Sequence, residues 1–167
     1  MKPALLVIDM QEVFFDHSPE TAQSLTSAVE YINAAIELFR DKDLPVIVIE
    51  DIDEEDGRVP GSPGFDTSSK IDLLPTDPRI HKTYGNAFNK TDLHQQLQDL
   101  GVDTLFLTGF AASQCVLSTY RGALDLDYDP FIFRGSLADA SQEKIRFVED
   151  IHNLLSYGAL EKLIGLL

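Results

Sequence analysis

The sequence predicts a doubly wound, Rossmann-like fold of three α/β/α layers, whose mostly parallel sheet has about six strands in the order 3-2-1-4-5-6. Short apolar runs such as "PALLVID", "LPVIVIED" and "VDTLFLTG" do not alternate polar with apolar residues, as expected of strands covered on both faces. Between these runs, apolar residues recur at helical spacing, so strand and helix alternate along the chain. The 167 residues suit one hydrophobic core and contain no repeat, low-complexity tract or second composition regime, so residues 1–167 read as a single domain.

"PALLVID" forms the first strand and ends in Asp9. The first long helix opens with Ser18 as N-cap and Pro19 at the first helical position, and carries Leu25, Ala28, Val29, Ile32, Ile36 and Phe39 as its inner stripe. "LPVIVIED" is the second strand. The polar segment from Asp51 to Arg79 is too long for an ordinary connection and reads as a functional loop or lid. "RIHK" is a brief extended piece ending at Lys82. Thr91 is then expected to cap a helix bearing Leu93, Leu97 and Leu100, with Gly101 as its stop. "VDTLFLTG" is a strand, a helix follows from Ser113, and "PFIFRG" is a further strand. Asp139 with Gln142 forms a candidate capping box for a helix bearing Ile145, Val148, Ile151 and Leu155. The tail "YGALEKLIGLL" fits a short edge strand, a terminal helix or an exposed apolar patch.

With 28 acidic and 13 basic residues the formal charge is −15, a field that repels phosphate backbones and anionic headgroups, so nucleic acid and membrane are not expected partners. The single cysteine cannot form an internal disulfide, and the apolar run before Asp9 is too short for a signal or membrane segment, so a cytoplasmic location is expected.

Ligands of doubly wound sheets bind beyond the carboxyl ends of the strands, where strand order reverses. Asp9, Lys82 and Cys115 all fall at such ends, so the fold brings them toward one rim. A thiol attacks carbonyl carbon as thiolate and needs help to ionise near neutral pH. Asp9 as base, the Lys82 ammonium and a helix N-terminus would supply that help, while the "TGFAAS" turn would aim backbone N–H groups at a developing oxyanion. Each group also has a structural reading: buried inert cysteine, turn-forming acid, solvated lysine. His17, His81, His94 and His152 are scattered, and His81 should point away from its neighbour Lys82 on extended backbone. Phe14, Tyr84 and Phe88 are candidate aromatic walls.

The segments "LLVIDMQEVFF", "KTYGNAFNKTDLHQQLQDLGVDTLFLTGFAASQCVLSTYRGALDLDY" and "FRGSLAD" resemble the isochorismatase-like cysteine hydrolases, relatives of nicotinamidase and N-carbamoylsarcosine amidase, over nearly the whole chain. The resemblance implies a catalytic triad of Asp9, Lys82 and Cys115 acting on a small-molecule amide or related C–N bond through a thioester. It also implies a cis peptide between Phe110 and Ala111, an oxyanion hole from the Ala111 and Cys115 amides, and a substrate-binding role for Phe14 and Gln11. No cofactor is implied, and a homo-oligomer, dimer or tetramer, is.

Two positions depart from the family pattern. The Thr of its Gly-x-x-Thr-x-x-Cys motif is Ala112, so either Ser113 substitutes for the hydroxyl or the backbone alone holds the turn. The Asp-x-His and further histidines that nicotinamidases carry after the second strand are absent. The run from Glu50 to Asp56 offers oxygen ligands to a hard cation but reads as a solvated face, so no metal site is expected. Rival readings are a non-catalytic binding or scaffold protein on the same fold, a vinyl ether hydrolase of the isochorismatase type, and a redox sensor lacking a resolving cysteine. A phosphoacceptor domain is disfavoured because no second acid neighbours Asp9.

Overall fold

The computed structural model describes residues 1–167. Its sheet has six strands, β1 (Pro3–Ile8), β2 (Val46–Asp51), β3 (Arg79–Lys82), β4 (Thr104–Gly109), β5 (Asp129–Leu137) and β6 (Leu154–Leu155). They lie in the order β3-β2-β1-β4-β5-β6, and every pairing is parallel. Strand order reverses between β1 and β4, and the crevice of such a sheet opens there.

All of β1 is buried. Its Ala4, Leu6 and Ile8 belong to one core and its Leu5 and Val7 to the other, the two-residue period of a strand with helices on both faces. A fully buried Leu or Ile stabilises the fold by about 1.5–3 kcal/mol, which explains why the run is uninterrupted. One face is covered by α2 (Pro19–Arg40) and α6 (Tyr157–Gly165), the other by α3 (Leu93–Asp99), α4 (Leu117–Asp125) and α5 (Gln142–Asp150). A single short helical turn, α1 (Glu12–Phe15), follows β1.

The Ser18 cap of α2 is present: its Oγ accepts from Thr21 N–H at 3.1 Å. Three local expectations give way to other arrangements. The N-cap position of α3 is Asp92 and not Thr91, whose hydroxyl accepts from Leu93 N–H at a long 3.4 Å. Ser141 caps α5 by accepting from Glu143 N–H at 3.2 Å, leaving Asp139 free for another contact. Leu154 and Leu155 are not part of α5; they pair with Ile132 and Phe133 as edge strand β6. The tail is helical, with Leu160 and Ile164 of α6 buried in the core that covers β1 on the α2 side.

Two backbone features shape the rim of the crevice. Asp9 has φ 50°, a left-handed conformation that Asp tolerates better than most residues, and it turns the chain sharply at the end of β1. Across the register from Ile8, Gly109 ends β4 with φ 107°, and a Cβ there would lie 2.0 Å from the Ile8 carbonyl oxygen. Only glycine permits that approach. The long segment after β2 folds back over this end of the sheet: Ser68 N–H donates to Met10 O at 2.8 Å, and Val13 N–H to Gly64 O at 2.9 Å.

Candidate active site

Four strand ends meet at the crevice. Asp9 follows β1, Asp51 ends β2, Lys82 ends β3, and Cys115 lies in a π-helical turn, Ala112–Val116, that follows β4 and runs into α4. In β3 the exposure alternates, which buries Lys82 and turns His81 outward. The Lys82 side chain is 0% exposed, and its ammonium stands 2.9 Å from Asp9 Oδ2, 2.7 Å from Asp51 Oδ1 and 3.3 Å from Cys115 Sγ. A buried ammonium is stable only with such partners, because desolvation alone would drive it neutral.

Burial pushes the Asp9 carboxyl up to about 6, against the pull of Lys82. Burial, together with the nearby Asp9 charge, pushes the Cys115 thiol up to about 12, and Lys82 offsets only part of this. Burial would lower the Lys82 ammonium, yet Asp9, Cys115 and Asp51 together hold it above its ordinary value. The resting site at neutral pH is therefore carboxylate, ammonium and thiol. Asp9 Oδ1 is buried and has no hydrogen-bond partner, so one acceptor remains available to take a proton.

Two groups absent from the sequence-based site complete the charge array. Asp51 bridges Lys82 to Arg58, whose Nη2 donates to Asp51 Oδ2 at 2.9 Å and to Asp53 Oδ2 at 3.5 Å. The acidic run after β2 is thus organised around a guanidinium. One oxygen each of Asp9 and Asp51 and the Cys115 sulfur lie within 4.8 Å of one another. The Lys82 ammonium is within hydrogen-bond distance of all three residues and supplies the positive charge at their centre. Three histidines are engaged elsewhere, His81 with Glu50, His94 with Tyr128 and His152 with the Val148 carbonyl.

The adjoining cavity has a volume of about 270 Å³ and is lined by Cys115, Asp9, Ala111, Phe14, Phe110 and Arg58, among others. The rings of Phe14 and Phe110 lie 5.0 Å apart, and the Arg58 guanidinium sits 5.0 Å over the Phe14 ring. Tyr84 instead contacts Lys90, and Phe88 stacks on Tyr128, so neither walls the cavity. Gln11 is displaced from the role expected of it. It is fully buried, its Nε2 donates to Phe65 O at 2.7 Å and Asp51 O at 3.1 Å, and its Oε1 accepts from Asp51 N–H at 2.8 Å. All of its amide is committed to tying the loop after β2 to the sheet.

The π-helical turn is closed by Val116 N–H donating to Ala111 O at 3.2 Å. Such turns are rare within helices and gather at functional sites. Asp139 fixes the turn, accepting from both Ser113 N–H at 2.9 Å and Ser113 Oγ at 2.7 Å. Ser113, next to Ala112, thus places a hydroxyl in this turn. The Phe110–Ala111 peptide is cis. Ala111 N–H donates to no other backbone group.

Comparison with known proteins agrees with this architecture. Residues 3–149 match the family model described as the isochorismatase domain. An isochorismatase family protein of Bacillus subtilis (strain 168) is 27% identical over 160 residues, covering 91% of this chain and 88% of its own. Among solved structures, N-carbamoylsarcosine amidase from Thermoplasma acidophilum has a TM-score of 0.81 at 26% identity, covering 94% of this chain and 97% of that one. An isochorismatase-like hydrolase from Alkaliphilus metalliredigens has a TM-score of 0.88 at 22% identity, covering 98% of this chain and 99% of that one, a likeness of fold.

Proposed function

Since the chain belongs to the isochorismatase family, we propose that it is a cysteine hydrolase that cleaves a small-molecule amide or related C–N bond through a thioester on Cys115. The observation that carries this reading is the triple contact of the Lys82 ammonium with Asp9, Asp51 and the Cys115 sulfur.

A thiol at about 12 cannot wait as thiolate, so its proton must leave as the sulfur attacks, and the unpartnered Asp9 oxygen is the acceptor. The S–C bond forms, the carbonyl π pair moves to oxygen, and the Ala111 and Cys115 N–H groups hold the oxyanion. Collapse breaks the C–N bond, and Asp9 returns the proton to the departing nitrogen. Water then adds to the thioester with Asp9 as base, the C–S bond breaks, and the proton returns to sulfur. Lys82 stays protonated throughout, orienting Asp9 and balancing the charge that passes from carboxylate to sulfur. A donor that removed several kcal/mol from such a charge-separated step would account for a rate effect of hundreds-fold.

Intact-mass measurement during turnover of small carboxamides and carbamoyl compounds tests the reading. An acyl adduct on Cys115 is expected, with turnover lost in Cys115→Ala and Asp9→Asn. Full turnover in either variant would overturn the assignment.

A further inference from the structure

We propose that Glu50 is a positioning residue for Lys82: its buried carboxylate clamps strand β3 and the loop after β2 to one another, and thereby sets where the ammonium stands against Asp9 and Cys115; this rests on the hydrolase reading above. Glu50 opens the acidic run that looks solvated in the sequence, yet its side chain is only 1% exposed. A charge in such a place must be paired and hydrogen-bonded. Its Oε1 accepts from Thr67 N–H at 2.9 Å, Thr67 Oγ1 at 2.8 Å and Arg79 Nη1 at 2.6 Å, and its Oε2 lies 3.2 Å from His81 Nε2. None of these residues lines the cavity beside Cys115, so Glu50 acts on the site through the backbone it holds.

Strand β3 needs such a clamp. It is four residues long and lies at the edge of the sheet with β2 as its only strand neighbour, and of its side chains only Ile80 joins an apolar core. Glu50 and Asp51 face His81 and Lys82 across the β2–β3 register, and successive side chains of a strand point to opposite faces. The two acids therefore grip β3 from both sides: Asp51 holds Lys82 on the face of the site, and Glu50 holds Arg79 and His81 on the other. Thr67 extends the grip. It forms an isolated antiparallel bridge with Gln11, two residues beyond Asp9, so one carboxylate links the segments that carry Asp9 and Lys82. Removing one member of a buried ion pair is costly where the other stays buried, but Arg79 and His81 are 38% and 39% exposed and turn to water when Glu50 is replaced. The carboxylate is thus needed for position more than for stability.

Two neutral substitutions separate the clamp from the charge. Glu50→Gln keeps an acceptor for Thr67 and Arg79, Glu50→Leu keeps only bulk, and both remove the negative charge while Arg79 and His81 stay in place. Burial raises the Asp9 carboxyl most; Lys82 lowers it, as does the Cys115 thiol, and Asp51 raises it. An ammonium that has drifted from Asp9 lets that carboxyl rise further, so the acid limb of iodoacetamide alkylation of Cys115 should lie at least about half a pH unit higher in Glu50→Leu than in Glu50→Gln. Above the limb, Glu50→Leu should react about tenfold more slowly than Glu50→Gln, and Glu50→Gln within about threefold of the parent. Coincident limbs overturn the proposal, whether or not Glu50→Leu is slower or less stable, because the ammonium would then not have moved. Where Glu50→Leu does not fold, Arg79→Met against Arg79→Gln poses the same question from β3. Both are neutral and only glutamine can still donate to Glu50, so the limb should again lie higher in Arg79→Met, and coincident limbs again overturn the proposal. Failure of the hydrolase reading looks different: there, Asp9→Asn would leave both the limb and the iodoacetamide rate of the parent unchanged.

Discussion

Asp51 and Lys82 are register partners at the ends of adjacent parallel strands, and their side chains meet at 2.7 Å, slightly closer than Lys82 meets Asp9. Asp51 is thus the anchor that sets where the ammonium stands. Its charge is also one of the influences raising Asp9. Asp51→Asn should slow iodoacetamide alkylation of Cys115 by roughly tenfold, the effect of misplacing a charge-balancing group by a fraction of its contact distance. The same variant should move the acid limb of the rate to lower pH, because Asp9 loses a like charge and gains a larger share of Lys82. A limb that stays in place would show that Asp51 is electrostatically silent toward Asp9.

Asp9 is pushed up to about 6 by burial, so the reactive carboxylate disappears as pH falls through that value. Alkylation of Cys115, and turnover of any substrate, should fall to half near pH 6 and about tenfold per unit below it, and Asp9→Asn should abolish this limb. Stability should vary too. The folded carboxyl keeps its proton up to about pH 6, whereas in the unfolded chain it loses it near 3.8, so the native state binds more protons between these values. The unfolding free energy attributable to Asp9 must then fall as pH rises from about 4 to 6 and level off above. Urea titrations across that window should show this slope in the parent protein and not in Asp9→Asn.

The strand ends that place Asp9 and Cys115 were legible in the sequence because uninterrupted apolar runs mark where a buried strand stops, whereas Lys82 ends the short, alternating β3, which carries no such run. The same signal marks Asp51, since "VIVIED" ends as "LLVID" does, but the acids that follow it hide it in an apparently solvated run. Arg58 is the only basic residue between Asp51 and Ser69, and that isolation inside an acidic segment was its available signal. Gln11 could not be placed from sequence, because a buried amide bonded to backbone and one facing a ligand look the same on paper. Leu155 fits the helical spacing of α5, yet pairing with Phe133 outweighs local period over so short a run. Asp139 lies two residues before the true cap, and only the folded chain shows that its carboxylate turns instead to Ser113 in the turn that carries Cys115.

Gln11 satisfies three backbone groups in a buried place, two of them on Asp51. Gln11→Leu preserves bulk but leaves those groups unpaired, and each buried unsatisfied group costs about 1–3 kcal/mol. A loss of about 3 kcal/mol or more in unfolding free energy is expected, read as a lower urea midpoint. A substrate-binding role would instead weaken ligand affinity in a protein of normal stability.

Asp139 accepts two hydrogen bonds from Ser113, two residues before Cys115, and so fixes the turn that aims the sulfur. Asp139→Ala removes both bonds and should slow Cys115 alkylation by about tenfold, while Asp139→Asn, which keeps an acceptor in place, should recover much of the rate. A role confined to stability would lower the urea midpoint of Asp139→Ala without this recovery pattern in the rate. Ser113→Ala loses only the hydroxyl bond and keeps the N–H bond, so its effect should be the smaller. The two residues act through one contact, and their effects should not add: in an Asp139→Ala background, Ser113→Ala should change the alkylation rate by less than about twofold. Additive losses would mean that Ser113 and Asp139 support the nucleophile by separate routes, and that the hydroxyl of Ser113 does not stand in for the one Ala112 lacks.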